Sequence, residues 1–418
     1  MLNRFSFMTI AGSPFLLLTA ALSAYGTTLN ESLRLAELWS AELSANKQEV
    51  SAYNSQAESA LQLPDPKLRF GIENVPVAGA NAHRLTREGM TMQRVGIMQD
   101  YVSSAKREAS SQTFRAEGHR AEANKDVIRT TLQQNTALAW FDLAYAEKNL
   151  AAIERTLDET RRQLRVQYAG VSGGSATSES VIDLRLALSE LANQKESIRR
   201  DINIARARMK ELTGQDINQA TGTGPDIFRL PADETLLTEE IRQHPEIIRA
   251  SREADVAQAR THQSATASIP DVGVEVYYAR RAEGFDDMAG IMFTVDLPVL
   301  QSHRQDKEHA ADVSRAYEAN DRLSLLVRAH QATLETLISG YNTALAVYNR
   351  QINEIIPLKK SRVRLAEAGY RTGNVSLTDV LSARRAVLDS ETDKNNAEKA
   401  LASAWAAIRY LIPQGDRP

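Results

Sequence analysis

The sequence predicts a mainly α-helical chain with a membrane β-barrel portion, made from one helix–strand hairpin–helix unit used twice. Duplication is the first sign. Ser40-Ala41-Glu42-Leu43 answers to His244-Pro245-Glu246-Ile247, and Leu63-Pro64-Asp65 to Ile269-Pro270-Asp271. Lys106-Arg107-Glu108 answers to His303-Arg304-Gln305, and Glu179 to Asp379. The Met209 to Leu212 end answers to the Ile408 to Leu411 end, and all these offsets fall between 197 and 206 residues. The second sign is a pair of hairpins whose strands alternate apolar and polar residues. The third is helical length: from Ser104 to Tyr168 there is no proline and one glycine, Gly118.

The elements follow in order. Arg4 precedes an apolar run from Phe7 to Ala24, and Ala24-Tyr25-Gly26 offers small residues for cleavage, so residues 1–26 read as an export leader. Nothing after residue 26 supplies the ~20 apolar residues of a spanning helix, so strands must make any crossing. Residues 27–222 form the first unit. A helical pattern runs from Leu29 to about Leu61, with Thr28 or Asn30 as its cap. Leu63-Pro64-Asp65-Pro66 breaks it. A strand at about 67–75 then sets Leu68, Phe70 and Ile72 on one face and Lys67, Arg69 and Glu73 on the other. A return strand is expected at about 90–102.

The second unit, residues 223–418, repeats the hairpin with strands at about 271–280 and 288–298. There Glu275 and Asp296 fall on the polar face. Four strands cannot close a barrel, for which about eight is the practical minimum. Open edges are not tolerated in lipid, so several chains must contribute.

Seven-residue ladders run through the long helices. They are Leu143, Leu150, Leu157, Leu164; Leu184, Leu191, Ile198, Ala205, Leu212; and Val380, Val387, Leu401, Ile408, with Lys394 interrupting the last. A sustained period of seven implies left-handed supercoiling of packed helices. Pro357 should kink or restart its helix. The helices reverse at about 168–178 and 370–378, where Tyr168, Gly173 and Gly174 in one tip answer to Tyr370, Gly373 and Ser376 in the other. Glycine supplies positive φ there, and hydroxyls cap the returning helix.

At this point the chain resembles the TolC family of outer-membrane efflux and secretion channels. The resemblance rests on the duplicated organisation, on Leu63-Pro64-Asp65-Pro66, and on Tyr370-x-x-Gly373-x-x-Ser376-x-x-Asp379-Val380-Leu381. Such membership implies a homotrimer whose twelve strands make one barrel in outer-membrane lipid of a Gram-negative cell, above a twelve-helix tunnel in the periplasm. It also implies a periplasmic adaptor protein docking at the tips and an inner-membrane RND pump. Ile72 to Pro76, Met90 to Gly96 and Lys106-Arg107 are similar to the heavy-metal branch, so the expected cargo is heavy-metal cations. A duct for organic drugs or type I secretion is the alternative, and a soluble periplasmic scaffold a remote one.

The residue chemistry fits transport. The net charge of −3 shows no basic bias toward nucleic acid, and zero cysteines exclude disulfides, thiolate sites and an N-terminal lipid anchor. No catalytic constellation, cofactor motif or dedicated metal site is legible, and the nearest histidine pair, His303 and His309, shares no helical face. Asp379, Glu179 and Asp183 just past the tips are candidates for carboxylate rings at a gate, although helix N-terminal charge alone accounts for them. Lys67, Arg69, Glu73, Glu275 and Asp296 are expected to line the barrel lumen. Met90, Met92, Met98, Met288 and Met292 carry thioethers that suit Cu(I) or Ag(I), with lipid contact or packing the simpler expectation.

Overall fold

The computed structural model describes residues 26–173 and 177–411. Apart from Gly26, the leader lies outside them, as do residues 174–176 and 412–418. The single first helix expected from Leu29 to Leu61 is two: α1 (Leu29–Trp39) and α2 (Ala41–Ala60). Ser40 stands between them and accepts the Leu43 N–H at 3.2 Å. Its hydroxyl gives the backbone a local partner that competes with helix continuation. The second copy breaks at the corresponding place. There α5 (Glu234–Glu240) and a 3₁₀ turn precede α6 (Pro245–Ala265), capped by the ring of His244.

Four strands form one sheet: β1 (Lys67–Glu73), β2 (Met92–Tyr101), β3 (Val272–Arg280) and β4 (Met288–Val295). Their spatial order is their chain order and every pairing is antiparallel, so the hairpins of the two copies join edge to edge through β2 and β3. Among the described residues β1 and β4 have no further strand partner, which leaves both edges of the sheet open.

From the sheet descends α3 (Ser104–Ser172), 69 residues long. At ~1.5 Å per residue it spans about 100 Å. Ser103 caps its start, and α4 (Ser178–Thr213) returns alongside it, ending at Gly214 with φ +68°. In the second copy α7 (Gln305–Arg350) leads into a π-helical turn, Gln351–Ile355, before α8 (Ile356–Arg371). The restart anticipated at Pro357 thus takes the form of a π turn. Pro357 then sits in the first turn of α8, where its missing N–H leaves no intrahelical bond unmade. α9 (Leu377–Arg409) completes the chain.

The core gathers where the C-terminal halves of α4 and α9 meet α3 and α7. Trp140, Phe141, Leu143 and Tyr145 pack there with Ile202, Met209, Leu334, Tyr341, Leu401 and Ile408. Two side chains stitch this core to the segments around it, since Trp140 Nε1 donates to Thr27 O at 2.9 Å and Tyr341 to Ile227 O at 3.0 Å. Toward the tips the core thins to Ile153, Leu157 and Leu191. The ladders lie on these inner stripes: Leu143, Leu157, Leu184, Leu191, Ala205, Val380, Leu401 and Ile408 are buried. Many other apolar side chains on the helices stay exposed in the single chain, among them Ile182, Leu186, Leu358 and Leu365.

Candidate functional site

The sheet has two chemically opposite faces. One carries Leu68, Ile97, Val276 and Ile291 in a single row, with Phe70, Val95 and Tyr278 in the next, all exposed. Phe70 is 82% exposed. An apolar surface this continuous marks contact with lipid or another chain. The opposite face carries the rows Lys67–Met98–Glu275–Met292, Arg69–Gly96–Tyr277–Gly290 and Gly71–Arg94–Ala279–Met288.

This polar face is tied together by ion pairs. Glu275 is 3% exposed and receives Arg69 Nη1 at 3.0 Å on Oε2. Arg94 Nη2 lies 2.9 Å from its Oε1, and Arg94 also reaches Glu73 at 3.0 Å and stacks over the Tyr277 ring at 3.8 Å. Lys67 pairs with Asp100 at 2.5 Å. Gly96 leaves the room: a Cβ there would stand 2.8 Å from Glu275 Oε1. So Lys67, Arg69, Glu73 and Glu275 share one face as the alternation predicts, with Asp296 exposed just beyond the end of β4. Arg94 and Asp100 are additions. Their signal was the odd-numbered apolar set Val95, Ile97 and Tyr101, which fixes the even positions as polar.

Met92, Met98, Met288 and Met292 lie on the polar face, as the alternation of β4 places Met292. Met98 and Met292 are the cross-strand partners of Glu275, and Met98 Sδ accepts from Arg69 Nη1 at 3.7 Å. Only Met90 lies outside the strands, exposed in the loop.

At the tips the two copies differ. Gly373 has φ +76°, and its N–H donates to Tyr370 O at 3.1 Å. Gly173 instead has φ −91°, so it does not supply the left-handed turn expected of it. Gly174 lies outside the described residues. Tyr168 and Tyr370 are both about half exposed, within the last turns of α3 and α8. Ser376 Oγ accepts from Asp379 N–H at 3.1 Å and donates to Asp379 Oδ2 at 2.7 Å, fixing that carboxylate at the start of α9. Glu179 and Asp183 are exposed on one stripe of α4. Glu190, two turns further along α4, pairs with Arg385 of α9 at 2.9 Å, and Arg155 of α3 with Glu391 of α9 at 3.0 Å. These pairs join the first helical hairpin to the second.

A cluster that sequence reasoning missed lies at the α6 N-terminus. His244 Nδ1 accepts the Glu246 N–H at 3.2 Å, and the His244 ring stacks on His330 of α7 with centroids 4.0 Å apart. His330 Nε2 lies 2.9 Å from Glu246 Oε2. Burial, reinforced by His330, pushes the His244 imidazole down to about 4. His330 is 84 or more positions from the other two, and no local motif links it to them. His303 and His309 play no such part; His309 Nδ1 instead meets Ser264 at 3.3 Å.

Comparison with known proteins accords with this architecture. A family described as outer membrane efflux protein matches residues 236–412. Outer membrane protein TolC of Escherichia coli K12 is 23% identical over 325 residues, a stretch covering 69% of this chain and 62% of TolC. The match therefore spans less than two thirds of that relative. Among solved structures, the outer membrane protein VceC of Vibrio cholerae superposes with a TM-score of 0.71 at 17% identity, covering 92% of this chain and 95% of VceC. CusC, described for its transmembrane channel formation, superposes with a TM-score of 0.72 at 15% identity, covering 92% of each chain.

Proposed function

We propose that this chain, a TolC-type outer membrane efflux protein by its fold and by the family match over its second half, is the exit duct of a tripartite efflux system. It sits in the outer membrane of a Gram-negative cell with its helices in the periplasm. The observation that carries this reading is the open-edged sheet with one apolar and one polar face, set on helical hairpins about 100 Å long. Three copies joined β1 to β4 make twelve strands, closing the edges that lipid would not tolerate. The polar face then lines the lumen, and each copy of the repeat supplies one strand hairpin to the barrel and one helical hairpin to the tunnel. The exposed apolar residues of the helices become contacts between subunits. A periplasmic adaptor docks at the tips, around Tyr168 and Tyr370, and an inner-membrane RND pump delivers the cargo.

The cargo we assign is a heavy-metal cation. Support comes from the thioethers of Met98 and Met292 flanking Glu275 on the polar face, a soft-ligand lining. Deleting the gene should sensitise cells to copper, silver, zinc, cobalt or cadmium, with resistance restored by re-expression. Sensitivity confined to organic toxicants would move the cargo to the drug class.

Threefold symmetry turns Asp379, Glu179 and Asp183 into rings of carboxylates, which attract cations at a constriction. The double substitution D379N/E179Q should lower cation-over-anion selectivity in planar bilayers. Unchanged selectivity would reduce these residues to helix caps, a role the Ser376–Asp379 hydrogen bonds already give one of them.

A further inference from the structure

We infer that His244, Glu246 and His330 form a binding site for a zinc-class divalent cation that clamps the start of α6 to α7. One nitrogen from each imidazole and one carboxylate oxygen lie within 4.8 Å of one another. Two histidines and a glutamate are a recurrent zinc ligand set, with a water completing the tetrahedron. Ligands ~2.05 Å from a tetrahedral zinc stand about 3.3 Å apart. The His330–Glu246 separation of 2.9 Å is already close to that edge. The remaining edges are at most 4.8 Å, so side-chain rotation has to close up to about 1.5 Å.

The one free lone pair of a neutral His244 is on Nδ1, which accepts the Glu246 N–H, so an ion bound by this ring takes the place of that cap. The side chain of Glu246 is 40% exposed, so the site opens to solvent on one side for the entry of an ion and a bound water. Nitrogen and carboxylate donors select Zn²⁺, Cu²⁺ or Ni²⁺, whereas Cu(I) and Ag(I) prefer the thioethers of the sheet.

The first copy of the repeat has Ser40 where the second has His244, so the clamp belongs to the second copy alone. It holds two helices that no covalent turn joins directly, and it is separate from the path through the sheet. The inference therefore stands whether or not the chain exports metals.

The test uses full-length protein in detergent, stripped with a chelator and dialysed. Titration with Zn²⁺ in a calorimeter should reveal one saturable site per chain. H330Q and E246Q should each weaken it by about tenfold or more, while H303Q leaves it intact. Co²⁺ should give the intense visible bands of tetrahedral coordination in the parent protein and lose them in H330Q. Retention of the heat-modifiable folded band on gels separates loss of the site from loss of the fold. Absence of saturable Zn²⁺ uptake in the parent protein, or uptake unaltered in the H244N/H330Q double variant, would overturn the clamp.

Discussion

Substituting Phe70 by arginine is expected to abolish assembly of the protein in membranes. Phe70 is the middle residue of β1 and the most exposed of the apolar face, beside Val95 and Tyr278. If that face meets lipid, a guanidinium near the bilayer midplane costs roughly 2–4 kcal/mol per chain, and a trimer repeats the cost three times. The sum, roughly 6–12 kcal/mol, rivals the stability of an ordinary folded domain. The F70R chain should therefore accumulate unassembled in the periplasm or be degraded, and should lose its sarkosyl-insoluble fractionation and heat-modifiable migration. T294R makes the matching control. Thr294 is exposed on the polar face beside Gly273, so an added charge there faces water and should be tolerated. A F70R chain that still inserts would dismiss the lipid-facing assignment, and with it the strongest argument against a soluble scaffold.

The second large effect is expected from Glu275→Ala. Glu275 is the most buried charge of the sheet and faces two arginines, Arg69 at 3.0 Å and Arg94 at 2.9 Å. Removing one member of a buried ion pair costs about 3–5 kcal/mol where its partner is left uncompensated. Arg94, with 12% of its side chain exposed, bears most of that loss because it cannot turn to solvent and keeps only the more exposed Glu73 as a charged partner. The reciprocal change R69A should cost about 1 kcal/mol or less, since the Arg69 side chain is 57% exposed and its contribution is screened by water. E275Q should fall between, keeping an acceptor for Arg69 while losing the charge. The temperature at which the folded barrel band disappears on gels orders these variants as E275A, E275Q, R69A, parent, from least to most stable. Equal loss in R69A and E275A would mean that the pair acts as an exposed one.

That ion pair has a particular origin. Arg69 and Glu275 are 206 residues apart, the same offset that relates Leu63-Pro64-Asp65 to Ile269-Pro270-Asp271. They are the same position in the two copies of the repeat. The two positions sit on β1 and β3 with β2 between them, and their opposite charges let the side chains pair over that strand. The copies also part company at the tips, where Gly373 makes a left-handed turn and Gly173 does not, and at the π turn before Pro357, which belongs to the second copy.

Much of this was legible in the residues. Period-two alternation specified which residues of β1 and β4 share a face, because successive side chains on a strand must point to opposite sides. Period-seven ladders specified the buried stripes of α3, α4 and α9, because a helix buries whatever recurs at its own repeat. Hydroxyl caps at Thr28 and Ser376 marked helix starts for a local reason, the unpaired N–H groups of a first turn. The break at Ser40 was hidden because helical periodicity continues across it and a serine inside a helix is ordinary.

The sequence by itself therefore determined the repeat, the elements and the two faces of the sheet, since each depends on neighbours within a few residues along the chain. Only the tertiary structure decided which charges meet and that His244 and Glu246 meet His330. Those contacts join residues well separated along the chain, and their geometry depends on how whole helices and strands pack. Local periodicity carries no record of that packing.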